Sequence, residues 1–357
     1  MIFQKILPAL VPEERSVWNR LAASPLPLVL YGTGDGADKI LAAFKRYGIQ
    51  AAGIFVSDEF YRGQTFQGFT VQRLADLEAR GGDFLIVVAF GSRLPALWDR
   101  VMHMAARHPL VIPDVPVYGE DLFTSAYARR HYDQLQLAYS LLADEESRRV
   151  FAEVLQYKLD GEVSHLIATV SDRQEDLATL LRLSEEEHYL DLGAYRGDTI
   201  EEFLTLTQGR YASITALEPD PRSFKKLHAY AHAMPHTTLL ACGVAEEPKT
   251  LPMQVGRGRG TAAGGTVSVP FTSVDALQKP FTYIKMDVEG MEAAALLGAA
   301  TTIRRYHPKL SIACYHRSED LFRLPLLLHR LNPAYRIYLR RSRCFPCWEL
   351  NLYCIDR

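Results

Sequence analysis

The sequence predicts an α/β fold with two successive, mostly parallel sheets, and three observations predict it. Between residues 27 and 112, short apolar runs alternate with stretches of helical periodicity. The same alternation returns between 188 and 314. Each set opens on an apolar run that ends in a Gly-rich turn ahead of a helix: Tyr31-Gly32-Thr-Gly34-Asp-Gly36-Ala37 in the first, Asp191-Leu-Gly193-Ala-Tyr-Arg-Gly197-Asp198-Thr199 in the second. A chain of 357 residues is long enough for two such units. The expected division is a Rossmann-like unit over 1–118, a helical connector over 119–183 and a second Rossmann-like unit over 184–357 that ends in an antiparallel hairpin.

The elements follow in order. Pro27-Leu-Val-Leu-Tyr31 is a short apolar strand, and the helix after it runs to Tyr47. Gln50-Ala-Ala-Gly-Ile-Phe-Val56 is a second strand, ending at Ser57-Asp58. Gly68-Phe-Thr-Val71 is a third, followed by a helix from Arg73. Phe84-Leu-Ile-Val-Val-Ala89 is apolar throughout, as suits a strand buried on both faces of a parallel sheet. A helix from about Leu94 and the strand Leu110-Val-Ile112 complete the first sheet. In the connector, 134–142 and 145–159 carry the apolar spacing of amphipathic helices, with Asp144 placed to cap the second. His188-Tyr-Leu-Asp191 opens the second sheet, and Asp198 and Glu201 have capping-box spacing for a helix over 199–207. Ser213-Ile-Thr-Ala-Leu217 is the next strand; Leu239-Leu240 and Cys242-Gly243-Val244 read as a third strand and its loop. The stretch from Gly256 to Gly265 reads as flexible, 284–286 and 310–314 as the fourth and fifth strands, and 335–339 and 348–354 alternate like a terminal hairpin.

Composition narrows the classes of function. A net charge of −2 gives no reason to expect nucleic-acid binding. No apolar run approaches the roughly 20 residues of a membrane span. Met1-Ile-Phe-Gln-Lys-Ile lacks the basic region and long apolar core of a signal peptide. The five cysteines, Cys242, Cys314, Cys344, Cys347 and Cys354, are odd in number and have no framework spacing, so reduced thiols in a cytoplasm are expected. Cys344-Phe-Pro-Cys347 has the spacing of half a zinc site, but no second pair accompanies it, and two thiols in a turn between terminal strands are expected.

The second Gly-rich turn carries the chemistry. The loop has neither the Gly-Lys-Ser/Thr of a P-loop nor a full Gly-x-Gly-x-x-Gly. Asp191, at the end of the first strand, suits a cationic ligand better than a pyrophosphate. Glu218, at the end of the second in Glu218-Pro219-Asp220, suits paired ribose hydroxyls. S-adenosylmethionine has a ribose, an amino group, a sulfonium and no phosphate, so it fits. Further along, Lys285 and Asp287 share one face of the fourth strand, with Asp287 at its carboxyl end, where ligands bind open α/β sheets. His316 holds the same end of the fifth strand. Asp287 and His316 are the candidates for deprotonating an acceptor, directly or as an orienting pair, with Glu289 beside them. A divalent metal on Asp287, Glu289 and His316 is a weaker alternative, and no metal is assigned. Glu289 and Glu292 also read as first-turn carboxylates of a helix over 291–297, and Lys285 as an ion-pair partner of one of them.

Asp191-x-Gly193-x-x-x-Gly197-Asp-Thr, Phe271-Thr-Ser-Val-Asp275, Tyr283-Ile-Lys285-Met-Asp287-Val-Glu289-Gly290-Met-Glu292, His307-Pro308-Lys309-Leu310 and Tyr315-His316 together resemble the FkbM-type methyltransferases that use S-adenosylmethionine. The resemblance covers roughly 185–357, and the Lys-x-Asp-x-Glu-Gly-x-Glu run is its specific part. It implies a seven-strand methyltransferase sheet with an antiparallel terminal pair. It also implies methyl transfer to oxygen on sugars, glycolipids or polyketide-like products. The cofactor contacts expected are Asp191, Gly193, Ala194, Tyr195, Gly197 and Thr199 on the first loop. Glu218, Pro219 and Asp220 follow on the second, with Gly243 and Asp287 beyond. The chain departs from the pattern at Cys344-Phe-Pro-Cys347-Trp, where a plainer turn is expected.

Residues 304–343 hold ten Lys or Arg against Glu319 and Asp320, so an anionic acceptor is a further possibility. In the first unit, Gly32, Gly34 and Ala37 match a dinucleotide fingerprint, with Asp58 roughly where a ribose-binding acid belongs. A nicotinamide cofactor, a nucleotide-sugar, or a scaffold without ligand remain open there. The expected function is O-methyl transfer to a saccharide, nucleotide-sugar or glycoconjugate hydroxyl, in a soluble protein that can form homo-oligomers. The alternatives are a non-enzymatic nucleotide-sugar or S-adenosylmethionine binding module and a nicotinamide-dependent sugar-modifying enzyme. The last lacks an evident Tyr-x-x-x-Lys pair in the first unit.

Overall fold

A computed structural model describes residues 12–253 and 267–356. The extreme N-terminus and the Gly-rich stretch from Gly256 to Gly265 lie outside the described residues. The first sheet comprises β1 (Leu28–Tyr31), β2 (Gly53–Phe55), β3 (Thr65–Phe66), β4 (Phe69–Gln72), β5 (Leu85–Val88) and β6 (Leu110–Val111), in the order β3-β4-β2-β1-β5-β6. All its pairings are parallel except the hairpin β3/β4. β5 sits between β1 and β6, which is why its sequence is apolar on both faces.

The connector is helical, and Asp144 caps the helix Glu145–Asp160 as expected, accepting from the Ser147 backbone N–H at 2.8 Å. It also contains a two-residue strand, β7 (Val170–Ser171). β8 (His188–Leu192), β9 (Ser213–Leu217) and β10 (Thr237–Leu240) follow. β11 (Gly243–Val244), β12 (Lys249–Met253) and β13 (Val267–Thr272) then form a small separate sheet. β14 (Tyr283–Met286), β15 (Lys309–Ala313), β16 (Arg336–Ser342) and β17 (Leu350–Ile355) complete the large one, ordered β10-β9-β8-β14-β15-β17-β16-β7.

Three expectations change. The large sheet has eight strands among the described residues, because β7 adds in parallel to β16 beyond the expected seven. The buried Arg341 of β16 ties the segments there: its Nε donates to Thr169 Oγ1 at 2.7 Å and its Nη1 to the Cys344 carbonyl at 2.7 Å. Residues 242–244, expected as the loop after the third strand, contribute a short strand instead: Gly243 and Val244 pair with Phe271 and Thr272 in the small sheet. Asp198 is not a cap either. Gly197 takes the N-cap position with φ +96°, which leaves Asp198 as the first helical residue, 3.6 Å from Arg93.

The two large sheets share a core. One apolar cluster contains Phe55, Ile86 and Trp98 from the first and Leu190, Ile284 and Leu352 from the second. The loop between β16 and β17 makes the closest crossing. Ser92 and Phe345 exchange backbone hydrogen bonds of 2.7 and 3.2 Å, and Phe345 is fully buried, worth about 1.5–3 kcal/mol for its side chain. Cys344 and Cys347 are buried free thiols in this same loop. No described helix is long and apolar enough to cross a membrane.

Candidate active site

The carboxyl ends of β8, β9 and β14 meet in a cavity of about 380 Å³. That falls in the range of roughly 300–1,000 Å³ typical of small-molecule sites. The register places Asp191 beside Lys285 and Lys285 beside Ser311. Lys285 Nζ lies 3.1 Å from Asp191 Oδ1 and donates to the Gly193 carbonyl at 2.7 Å. Its ion-pair partner is therefore Asp191 across the strands, not the helix acids expected from sequence. Burial lowers the Lys285 pKa, but the neighbouring Asp191 and Asp287 outweigh it and raise it overall, so the ammonium stays charged.

Asp191 itself is fully buried, and Thr199 Oγ1 donates to its second oxygen at 2.5 Å. It braces the loop from behind; Asp191, Ala194 and Gly197 do not line the cavity, whereas Gly193, Tyr195 and Thr199 do. Gly193 has φ +79°, and a Cβ there would lie 2.0 Å from the Asp287 carbonyl oxygen. At Gly197, φ is +96° and a Cβ would meet the Tyr230 ring at 2.5 Å. The loop thus needs glycine both for its backbone conformation and for close packing.

Glu218 is 7% exposed, and its two oxygens accept from the backbone N–H of Tyr195 and of Asp220, each at 2.8 Å. Burial raises its pKa to about 7 against those hydrogen bonds. Pro219, Asp220 and Gly243 also face the cavity. The Asp220 carboxylate is engaged as the N-cap of the helix Pro221–Ala231, accepting from Arg222 and Ser223 N–H groups at 3.0 and 2.8 Å.

After β14 the chain turns sharply, with Glu289 at φ +56° and Gly290 at φ +85°. This turn and the end of β15 build an acidic cluster around His316. Glu292, 1% exposed, accepts on one oxygen from Val288 N–H at 2.9 Å and from His316 Nδ1 at 2.8 Å. His316 Nε2 faces Asp287 at 3.4 Å and Glu289 at 3.7 Å. Burial alone would lower the His316 pKa, but the carboxylates of Glu292, Asp287 and Glu289 carry it up to about 10. The ring is therefore an imidazolium at neutral pH: it can orient its neighbours and cannot accept a proton. Because this folded-state pKa is raised, the cluster's contribution to stability is complete below the ordinary histidine value of about 6.5 and is lost as pH rises toward 10. Burial, ahead of the neighbouring charges, raises the Glu289 pKa as well. The ligand atoms of Asp287, Glu292 and His316 lie within 4.8 Å of one another, close enough to share a cation. Here Glu292 takes the place in the ring expected for Glu289, and the imidazolium already supplies positive charge to the three acids.

Several residues that line the cavity carry no signal of it in the sequence. Arg93 and Tyr118 come from the first sheet's side of the molecule. Tyr118 Oη donates to Glu289 at 2.9 Å, and Arg93 sits 3.6 Å from Asp198 and 3.9 Å from Glu349. Tyr315, adjacent to His316 in the recognised run, donates to Asp287 at 3.5 Å. Of the basic run, Arg317 lines the cavity, while Arg340 turns inward to Asp144 at 2.7 Å and Arg341 is buried.

The first unit's fingerprint is arranged differently. Gly32 has φ +116°, and a Cβ there would lie 2.7 Å from the Phe90 ring. Phe90 packs edge-on against Tyr31 and Phe345, with centroids 4.8 and 5.5 Å away. Gly34 caps the following helix at φ +132°, Ala37 is buried beneath it, and the 82%-exposed Asp58 carboxylate lies 4.0 Å from Arg73. The Phe90 ring thus occupies the space over the first glycine, and Phe345 of the second unit packs against that ring.

Residues 191–336 match the model of the methyltransferase FkbM domain. The crystal structure of methyltransferase FkbM from Methylobacillus flagellatus KT is similar with a TM-score of 0.74 at 21% identity, covering 99% of this chain and 98% of that one. That likeness extends the shared fold across both sheets. An rRNA methylase from Streptococcus thermophilus is similar at a TM-score of 0.34 and 13% identity, over 51% of this chain and 93% of that one. Aeropyrum pernix fibrillarin, solved with natively bound S-adenosyl-L-methionine, is similar at 0.33 and 14%, over 50% of this chain and 74% of that one. No curated protein matches the sequence.

Proposed function

We propose, from the match of residues 191–336 to the methyltransferase FkbM domain, that the protein moves a methyl group from S-adenosylmethionine to a hydroxyl of a saccharide, nucleotide-sugar or glycoconjugate. The observation that carries the reading is Glu218. It is a buried carboxylate held by two backbone N–H groups at the wall of a cavity that Asp287 and Glu289 also line. The residues present fit the cofactor. Glu218 keeps lone pairs for two ribose hydroxyls, and Gly193 and Gly243 line the cavity beside it. The bound cofactor supplies a methyl carbon already activated by a sulfonium.

The protein's own task is then orientation and removal of one proton. Asp287 is the base in this reading, since its carboxylate lines the cavity and the imidazolium of His316 lies behind it. Tyr315 steadies the same carboxylate. Alignment of the acceptor oxygen with the methyl carbon supplies most of the rate, as effective molarities of about 10⁵ M and above are reached in such cases. Arg317 and Arg93 in the cavity wall support an acceptor with an anionic group. The five free thiols support a cytoplasmic site of action. The Phe90 ring over Gly32, itself packed against Phe345, supports the scaffold reading of the first unit.

The direct test incubates the full chain with labelled S-adenosylmethionine and a panel of sugars, nucleotide-sugars and cell extracts, and identifies the labelled product. Transfer to nitrogen or carbon in place of oxygen rejects the hydroxyl assignment. Calorimetry gives a second test. Glu218→Ala is expected to weaken S-adenosylhomocysteine binding by roughly 10- to 150-fold, the equivalent of about 1.5–3 kcal/mol. Binding by the wild type is expected to weaken as pH falls below about 7, because the raised Glu218 pKa means the carboxylate is protonated there. Glu218→Gln should flatten that profile; a wild-type affinity that is constant from pH 8 to pH 5 removes Glu218 from the ribose site.

A further inference from the structure

We propose that Tyr118, on the segment leaving the first sheet after β6, is a positioning residue for methyl transfer, so that the acidic turn of the second unit is set by a side chain from outside the matched domain. The inference rests on the functional reading above and adds to it the reason for the first unit's presence.

The chain between β6 and the helix Ser125–Arg130 has no regular secondary structure among its described residues, and it crosses the end of β15. Its path is fixed at three points. Lys39, on the helix after β1, donates to the Val117 carbonyl at 2.6 Å. The Tyr118 N–H donates to the His316 carbonyl at 2.9 Å. Ser318 Oγ donates to the Asp121 carbonyl at 2.5 Å. This strap lays the Tyr118 ring edge-on to the His316 ring, centroids 6.0 Å apart, and brings its hydroxyl to Glu289 Oε2 at 2.9 Å.

The geometry requires such a contact. Glu289 has a left-handed backbone, φ +56°, which is unfavourable for a residue with a Cβ and persists only where surroundings hold it. Gly290 follows at φ +85°, and a Cβ there would lie 3.1 Å from the Tyr118 ring, so the turn is shaped to receive the tyrosine. Arg317 Nε closes the other side on the Gly290 carbonyl at 2.9 Å. A phenol is a directional donor with no charge of its own. It can hold Glu289 toward His316 Nε2 without competing with the imidazolium for the acid's charge. Burial and the Glu289 charge both push the Tyr118 pKa up, so the hydroxyl remains a donor. The consequence is a chain of contacts, Tyr118 to Glu289 to His316 to Asp287, that begins in the first unit and ends at the proposed base.

The test compares wild-type full chain with Tyr118→Phe, which keeps the ring and removes the donor. His316 is followed by nitrogen NMR across pH 6–11, its signal assigned by its loss in His316→Gln. The groups that face it are Glu292, Asp287 and Glu289, with Asp320 on the adjoining helix and the phenols of Tyr118 and Tyr315. In Tyr118→Phe, Glu289 loses the donor that holds it toward His316 and swings away. The His316 midpoint is then expected to fall by about one pH unit. Lys39→Met, remote from the cavity, loosens the strap and should shift it the same way by less, which keeps the test available if Tyr118→Phe does not fold. S-adenosylhomocysteine affinity should stay within about twofold in Lys39→Met, which lies outside the cavity lining. An unchanged His316 midpoint in a folded Tyr118→Phe protein overturns the proposal. Failure of the wild type to bind S-adenosylhomocysteine overturns the functional reading instead, so the two failures are distinguishable.

Discussion

Asp287→Asn is expected to bind S-adenosylhomocysteine as the wild type does and to turn over its acceptor at least about 10²-fold more slowly. The amide has nearly the shape of the carboxylate, and the side chain can still take the Tyr315 hydroxyl, so the cavity is preserved. What is lost is the capacity to accept a proton. His316 cannot take over, because the surrounding acids hold it as a cation with a pKa of about 10. His316→Gln should therefore slow turnover by disordering Asp287 and Glu289. The double variant should be little worse than Asp287→Asn alone, since residues acting as one unit are not additive. The measurement is initial rate at saturating cofactor with the acceptor found in the labelling panel. Full turnover by Asp287→Asn would remove the base from the mechanism and leave alignment as the whole source of rate.

Gly193→Ala is expected to abolish S-adenosylhomocysteine binding, with at least 100-fold loss of affinity, and to lower the melting temperature. Two independent costs fall on this position. With φ +79°, any side chain is strained, and the new Cβ would sit 2.0 Å from the Asp287 carbonyl oxygen. That oxygen belongs to backbone and cannot swing away freely, because the N–H of the same peptide, that of Val288, donates to Glu292 Oε1 at 2.9 Å. Relief requires β8 and β14 to separate at the end where the ligand is held. Gly48→Ala is the control. Its φ is +67° and no atom lies within 4 Å of the added Cβ, so it carries the conformational cost alone, about 1–2 kcal/mol. Calorimetry and thermal melts of the two variants separate strain from collision. A Gly193→Ala protein that melts and binds as Gly48→Ala does would show that the loop can move aside.

Much of this molecule was legible before its structure. Apolar runs of strand length, interrupted by glycines and followed by helical periods, specified both sheets, because a parallel strand buried on two faces leaves few polar choices. The placement of Asp144 ahead of its helix was enough to identify a cap, a contact spanning three residues. Asp198 had the same spacing and failed, because Gly197 can adopt a left-handed cap conformation that shifts the helix start by one residue. The run from Lys285 to Glu292 announced an acidic strand end, but not which partners its groups would take. Lys285 was decided by strand register, which sets it beside Asp191 across β8 and β14.

Contacts between the units were not legible in the same way. Tyr118 and Glu289 are separated by 171 residues, and Ser92 and Phe345 are joined only because one apolar core runs under both sheets. No periodicity, spacing or propensity encodes such a pair, since each residue's local preferences are satisfied with or without its partner. The sequence by itself determined the two sheets, the glycine loop and the acids at the strand ends, all set by interactions within a few residues or by burial pattern. The tertiary structure decided which acid holds His316, that Asp191 braces the loop from behind, and that Arg93 and Tyr118 cross from the first unit to line the cavity. Those choices depend on docking one folded surface against another.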